Sequence, residues 1–183
     1  MKRKIATSIS FTKNWLVTGA IIETSRDVEI EICKHIPVED HKIIVEFGVG
    51  HGNITKEILK RMSPTSKLYA FEVNKMFCKY VNDAISDPRL IIINDSAENI
   101  KKHINGNVDA VVSSIPFSFF SKEKGMVILQ NAYDIMFNEA YFSQVLYIKF
   151  NFRKFQKVFE ECRIVSNKKL KMEHIFHCKR IVS

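Results

Sequence analysis

The stretch from Ile43 to Thr55, I-I-V-E-F-G-V-G-H-G-N-I-T, constrains this chain more than any other. Its β-branched opening, Ile43 to Val45, suits a strand covered on both faces. Gly48, Gly50 and Gly52 then fall at alternate positions. Lacking Cβ, they let the backbone turn sharply and let a ligand lie almost against it. From Asn53 onward Ile54, Ile58, Leu59 and Met62 recur at helical spacing, so the glycines stand where a strand becomes a helix. Open α/β sheets bind nucleotide-like ligands at such points, outside the carboxyl ends of their strands.

Three further strand ends extend the pattern. Leu68-Tyr69-Ala70-Phe71-Glu72 reads as a second strand ending in a carboxylate, 24 residues after Gly48. An acid there can accept hydrogen bonds from the two hydroxyls of a ribose. A third strand, Leu90 to Ile93, runs into Asn94-Asp95-Ser96-Ala97, a polar turn able to hold an adenine edge. A fourth, Val108 to Val112, runs into Ser113-Ser114-Ile115-Pro116-Phe117. Helical patterns separate them, from Lys75 to Ile85 and from Glu98 to Ile104. Such alternation implies a parallel sheet with helices on both faces.

Either side of this unit the pattern continues. Thr24 or Ser25 can cap a helix running through Val28, Ile32 and His35-Ile36 and stopping near Pro37. His35, near that helix end, reads as a surface residue favoured by the dipole. Lys122 to Phe137 reads as a helix with Met126, Ile128, Leu129, Ala132, Tyr133 and Met136 on its apolar face. Gln144 to Phe150 is strongly β-forming, and Phe152 to Glu161 reads as a basic helix. Arg163 to Ile181 alternates as a terminal strand with Lys168-Lys169 at a turn, which brings the count to about seven strands.

Composition narrows the partners. At 183 residues, 46% hydrophobic and 26% charged, the chain fits one domain with a substantial core. A net charge of +8 predicts attraction to polyanions, nucleic acid or an anionic lipid surface, without choosing between them. Cys33, Cys78, Cys162 and Cys178 are scattered with no close pair, the usage of a cytosolic protein with reduced thiols. His174, His177 and Cys178 fall on an alternating segment with no answering ligand pair, so no metal is expected. No apolar run approaches the ~20 residues of a membrane span. Thr7, Ser8, Ser10, Thr12 and Lys13 interrupt what would be the apolar part of a signal peptide, so a cytoplasmic protein is expected. The first 22 residues hold Lys2, Arg3, Lys4 and Lys13 and no acid, while Ile5, Ile9, Phe11, Trp15 and Leu16 share one helical sector. Such a segment can lie among lipid headgroups or form a helix that lids the site, and the two readings are compatible.

With these strand ends in hand, the chain resembles the class I S-adenosylmethionine-dependent methyltransferases. V-E-F-G-V-G-H-G is similar to their first motif, Glu72 to their ribose acid, Asp95-Ser96-Ala97 to their adenine-side turn and Ser114-Ile115-Pro116-Phe117 to their fourth motif. Within that class it resembles the bacterial phospholipid N-methyltransferases and, next, the ribosomal-RNA adenine dimethyltransferases. Phe11-Thr12-Lys13-Asn14-Trp15-Leu16, Gly19-Ala20-Ile21 and Thr24-Ser25 look like the opening of the phospholipid enzymes, which contributes to membrane contact and covers the cofactor.

The resemblance implies an α/β, Rossmann-like class I methyltransferase fold: a seven-stranded, mostly parallel sheet with helices on both faces and an N-terminal helical lid. It implies a single domain over residues 1–183, with 1–36 as the amphipathic and lid helices and 37–183 as the cofactor-binding sheet. S-adenosylmethionine would be held by Glu46, Phe47, Gly48, Gly50, Gly52, Glu72, Val73, Asp95, Ser96, Ala97 and Ser113. Glu46 would reach the cofactor's amino group through water or only order the loop. Asp95 would accept from the adenine amine. His51 stands where relatives more often carry Thr and reads as a loop residue near the cofactor. Ser114, Pro116 and Phe117 would face the acceptor, the Phe117 ring beside the amine or its developing cation, an interaction of about 0.5–2 kcal/mol; Phe119 and Phe120 read more readily as core. Adenine dimethyltransferases usually carry Asn or Asp where Ser114 stands, so the serine fits the phospholipid enzymes better. No residue stands out as a general base. The expected activity is N-methylation of a phospholipid headgroup amine, phosphatidylethanolamine or a related aminolipid, by a monomer peripherally associated with an anionic membrane. Ribosomal-RNA adenine N6-methylation is the alternative. RNA relatives usually add a C-terminal helical domain, and this chain stops after the expected last strand.

Overall fold

A computed structural model describes residues 24–146, 152–166 and 173–182. The basic opening segment, and with it most of the expected lid, lies outside the described residues. Helix α1 spans Arg26–Ile32. Strand β1 (Ile43–Phe47) leads through the glycine loop into α2 (Asn53–Arg61). Then come β2 (Lys67–Phe71), α3 (Lys75–Ala84) and β3 (Leu90–Ile93). A 3-10 turn at Ala97–Asn99 opens α4 (Ile100–His103), followed by β4 (Val108–Ser113). A second 3-10 turn, Phe117–Phe119, precedes α5 (Lys122–Ile135) and β5 (Met136–Leu146). The short α6 (Phe152–Phe155), β6 (Glu161–Val165) and β7 (His174–Lys179) complete the described chain.

The seven strands form one sheet in the order β3-β2-β1-β4-β5-β7-β6. From β3 to β5 every neighbour is parallel; β7 runs antiparallel to β5 and to β6. The chain steps outward from β1 to β3 and then returns to lay β4 on the other side of β1. That reversal falls at the carboxyl ends of β1 and β4, where an open α/β sheet takes its ligand. The glycine loop leaves β1 there.

Both faces of the sheet are covered. Val45, Phe47, Val111, Phe142 and Phe176 pack with Ile128, Leu129 and Ala132 of α5 and Phe155 of α6. Ile44, Leu68, Val112, Val145 and Ile175 pack with Val28 and Ile32 of α1 and Ile54 and Ile58 of α2. Each fully buried side chain of this size contributes about 1.5–3 kcal/mol. An ionic clasp ties α1 to α2. Glu57, only 4% exposed, accepts from Arg26 at 2.5 Å and from Arg61 Nε at 2.6 Å. Arg61 also donates to the carbonyls of Cys33 and Ile30, at 3.2 and 3.0 Å.

Several expectations are corrected. The helix expected to reach Phe137 stops at Ile135, and Met136 already belongs to β5. The strand expected from Gln144 therefore starts eight residues earlier, and residues 147–150 lie outside the described chain. Only Phe152–Phe155 of the expected basic helix is helical, because Glu161 opens β6. The single terminal strand is a hairpin pair, β6 and β7, and its expected turn at Lys168-Lys169 is outside the described residues. Cys162 and Cys178, far apart in sequence, stand opposite each other in that pair. Ser25 precedes α1 without a side-chain cap bond. His35 is not an open surface residue: its ring stacks on Tyr141 with centroids 3.9 Å apart and meets His177 edge-on.

Candidate cofactor and acceptor site

Three backbone facts build the crevice. Gly48, Gly50 and Gly52 all have positive φ, 84°, 53° and 80°, where a Cβ is strained. A Cβ on Gly48 would also lie 3.0 Å from Ile115 Cγ2 and 3.1 Å from Ser114 Oγ. The loop thus runs against the fourth strand end with no room for a side chain. The Gly48 amide donates to the Phe71 carbonyl at 2.9 Å, which ties the loop to the end of β2.

Glu72 joins the loop directly. It is 7% exposed; its Oε2 accepts the Gly50 N–H at 3.2 Å and its Oε1 the Asn74 N–H at 2.8 Å. Asn74 in turn caps α3 by accepting from the Met76 N–H at 2.9 Å. The loop and the acid expected to flank a cofactor are therefore one hydrogen-bonded unit. Val73, next along, is 57% exposed at the rim. Carboxylate oxygens carry further lone pairs, so Glu72 can still accept from a diol.

Glu46 lies one residue before Phe47, 1% exposed, on the sheet face covered by α1 and α2. Thr55 of α2 donates to its Oε2 at 2.7 Å, while Oε1 is buried without a partner. Burial pushes its carboxyl up to about 8; the Thr55 bond pulls the other way and the nearby Glu72 charge adds to the rise. Asp95 is the opposite case. His103 meets its Oδ2 at 2.8 Å, and Oδ1 takes the Asn99 amide at 2.8 Å and the Ser96 N–H at 2.7 Å. These donors, His103 first, hold its carboxyl down at about 2. Ala97 is buried behind this turn, and Asn94 donates to the Glu72 carbonyl at 2.8 Å, so the third strand end is tied to the second.

At the fourth strand end the Ser114 amide donates to the Phe47 carbonyl at 2.9 Å, and its hydroxyl to the Gly48 carbonyl at 2.8 Å. Pro116 begins the 3-10 turn. Phe117 is not an open ring beside an acceptor: it is fully buried, edge-on to Phe155 and Phe120 at 5.2 and 5.8 Å. The turn drives alternate rings apart, so Phe117 enters the core while Phe119 is 44% exposed. His51 rests edge-on against Phe77 and Tyr80 of α3, centroids 4.9 and 5.8 Å away.

Sequence reasoning missed two side chains here. Thr55 fixes Glu46, and Gln144 of β5 is fully buried with its amide donating to the Ile115 carbonyl at 3.0 Å. The polar pair Ser143-Gln144, set between Phe142 and Val145 in a β-forming run, was the available signal for Gln144. Two surface hollows, one bordered by Asn82, Ile85 and Pro88 and one by Gln156, Glu160 and Cys162, lie apart from these residues. Among the described residues no His, Cys, Asp or Glu group of three or more could hold a metal, and no helix is long and apolar enough to cross a membrane.

The fit to S-adenosylmethionine rests on this geometry: a loop without side chains, an acid bonded to it, and a buried carboxylate oxygen lacking a donor. No protein-family model matches the chain. It is 23% identical over 161 residues to an ornithine lipid N-methyltransferase of Singulisphaera acidiphila, covering 85% of this chain and 84% of that protein. It is 26% identical to a ribosomal RNA small subunit methyltransferase A of Borreliella burgdorferi, across 71% of this chain but 43% of that protein. An S-adenosylmethionine-dependent O-methyltransferase from Thermotoga maritima superposes with a TM-score of 0.71 at 11% identity, over 91% of this chain and 70% of that one. A methyltransferase-like protein from Streptococcus mutans, solved with S-adenosylhomocysteine, gives 0.68 at 14% identity, over 86% and 99%. With the glycine loop, the bonded acid and the sheet order, these relatives identify the chain as a class I S-adenosylmethionine-dependent methyltransferase.

Proposed function

We propose that the enzyme methylates the amine of an aminolipid headgroup, phosphatidylethanolamine or a related lipid. The observation that carries this reading is Ser114. The adenine dimethyltransferases that the chain resembles hold the base amine with the side chain at this position, whereas here the Ser114 hydroxyl is spent on the Gly48 carbonyl at 2.8 Å. An alkyl amine need not be held from this position. The similarity to an ornithine lipid enzyme along most of both chains supports the same choice. The charge of +8 suits an anionic membrane surface.

The cofactor supplies the electrophilic methyl group; the protein aligns donor and acceptor and keeps water out. Gly48, Gly50 and Gly52 admit the cofactor to the backbone, Glu72 accepts from the ribose, and Asp95, Ser96 and Ala97 line the adenine side. Glu46 Oε1 accepts from the cofactor's amino group, which gives a donor to an oxygen that otherwise has none. Phe47, Val73 and Ser113 flank these contacts at their strand ends.

RNA remains the second reading, favoured by the match to the ribosomal RNA enzyme. Incubation with methyl-labelled cofactor and either phosphatidylethanolamine vesicles or ribosomal RNA separates the two. Label in the lipid is expected, and label in the RNA alone would overturn the proposal.

A further inference from the structure

One row of the sheet carries two buried polar side chains that the described protein leaves unsatisfied. In register the row runs Phe71, Phe47, Ser113, Gln144, Phe176, so these side chains share the face covered by α5 and α6. The phenylalanines are ordinary core. Ser113 and Gln144 are each 0% exposed, and neither the Ser113 hydroxyl nor Gln144 Oε1 has a hydrogen-bond partner. Gln144 is held in place from its other end, its Nε2 donating to the carbonyls of Ile115 and Val145 at 3.0 and 2.6 Å.

A buried acceptor without a donor is costly and rare in native folds, and each instance calls for an explanation. Both groups stand level with Phe47, the last residue before the glycine loop, and beside the Ser114–Phe117 motif. They therefore lie at the carboxyl edge where donor and acceptor must meet. The ligand that satisfies them is an N–H donor, and a primary amine brings two.

We propose that Ser113 Oγ and Gln144 Oε1 hold the acceptor amine, each accepting one N–H and leaving the nitrogen lone pair free to attack. This rests on the reading of the enzyme as an aminolipid N-methyltransferase, and it moves Ser113 from the cofactor side of the site to the acceptor side. In the transfer the nitrogen lone pair forms the new N–C bond. The S–C bond breaks with its electron pair staying on sulfur, and the product is a secondary ammonium. Its two N–H groups, now charge-assisted, bind Ser113 and Gln144 more strongly than the neutral amine did. The contacts thus favour the transition state over the ground state. One proton then leaves to solvent. The resulting secondary amine has a single N–H for two acceptors, so a second methyl is added more slowly than the first.

The test compares the wild type with Ser113→Ala and Gln144→Leu. Label transfer to vesicles of phosphatidylethanolamine and phosphatidylglycerol is measured alongside S-adenosylhomocysteine affinity by calorimetry. Ser113→Ala is the cleaner variant, since its hydroxyl hydrogen-bonds no described residue. Both variants are expected to bind S-adenosylhomocysteine within about threefold of the wild type and to lose about tenfold in kcat/KM for the lipid. Unchanged kcat/KM in Ser113→Ala overturns the assignment, as does a loss of cofactor affinity that accounts for the loss of activity. A wild type that labels no lipid overturns the functional reading and the assignment together; an active wild type with unaffected variants overturns the assignment alone.

Discussion

Glu46 is an acid enclosed where water does not reach it, with one oxygen satisfied by Thr55 and the other by nothing described. Its carboxyl, raised by burial from 4.5 to about 8, keeps in the fold a proton that the unfolded chain releases. The folded state therefore binds more protons between those values, and its stability is greatest below 4.5 and is lost as pH rises through about 8. Glu46→Gln holds a neutral group there at every pH. Its melting temperature should fall less than the wild type's between about pH 5 and 9; parallel curves would show that Glu46 is ionised in the fold. The glycines, Glu72, Asp95 and Ser114 were legible in the sequence because strand ends and turn residues announce themselves locally. Gln144, Thr55 and Glu57 were not, since each matters through a partner on another element, Ile115, Glu46 and Arg26 respectively. Phe117 and Phe119 exchanged roles for a local reason: a 3-10 turn follows Pro116, and it sets which ring enters the core.

At the scale of the element, α3 shows how a cap serves a site. Asn74 closes the helix N-terminus with its side chain while its backbone N–H is donated to Glu72. Asn74→Ala should cost about 1 kcal/mol of stability, as lost N-caps do, yet keep the backbone bond to Glu72. Chemical denaturation should register the loss while cofactor affinity stays within a few-fold; an equal collapse of both would place the side chain itself in the site. The first four strands and their helices followed from β-branched runs and helical spacing. The start of β5 was hidden because its period breaks. Its register shifts against β4 between Val108 and Ala110, and Glu139 takes a positive φ of 69°. A bulged strand following directly on a helix leaves neither periodicity intact. The β6–β7 hairpin, and with it the meeting of Cys162 and Cys178, was hidden because the pairing joins residues of one stretch that reads as a single alternating strand.

For the whole molecule, the sheet order gathers the glycine loop and Glu72 at one edge and the fastening at α1 and α2. The clasp of Glu57 with Arg26 and Arg61 sets α1 against α2 on one face of the sheet. Arg61→Leu would leave a nearly buried carboxylate with one exposed partner and free the Ile30 and Cys33 carbonyls, costing about 1–3 kcal/mol. A melting temperature unchanged by that substitution would show that apolar packing alone seats the helix. The reach of the fold class was legible because the glycine loop and Glu72 could be placed at neighbouring strand ends from sequence alone; the level pairing of Ser113 and Gln144 across β4 and β5, on which the proposed acceptor site rests, could not. The central claim is that S-adenosylmethionine lies against that loop, with its ribose held by that acid. Calorimetric titration of S-adenosylhomocysteine into the wild type and Glu72→Ala, with far-ultraviolet spectra confirming the fold, tests it most directly. Saturable binding by the wild type, weakened at least about a hundredfold in the variant, is the predicted result; equal affinity in both, with both proteins folded, would contradict it.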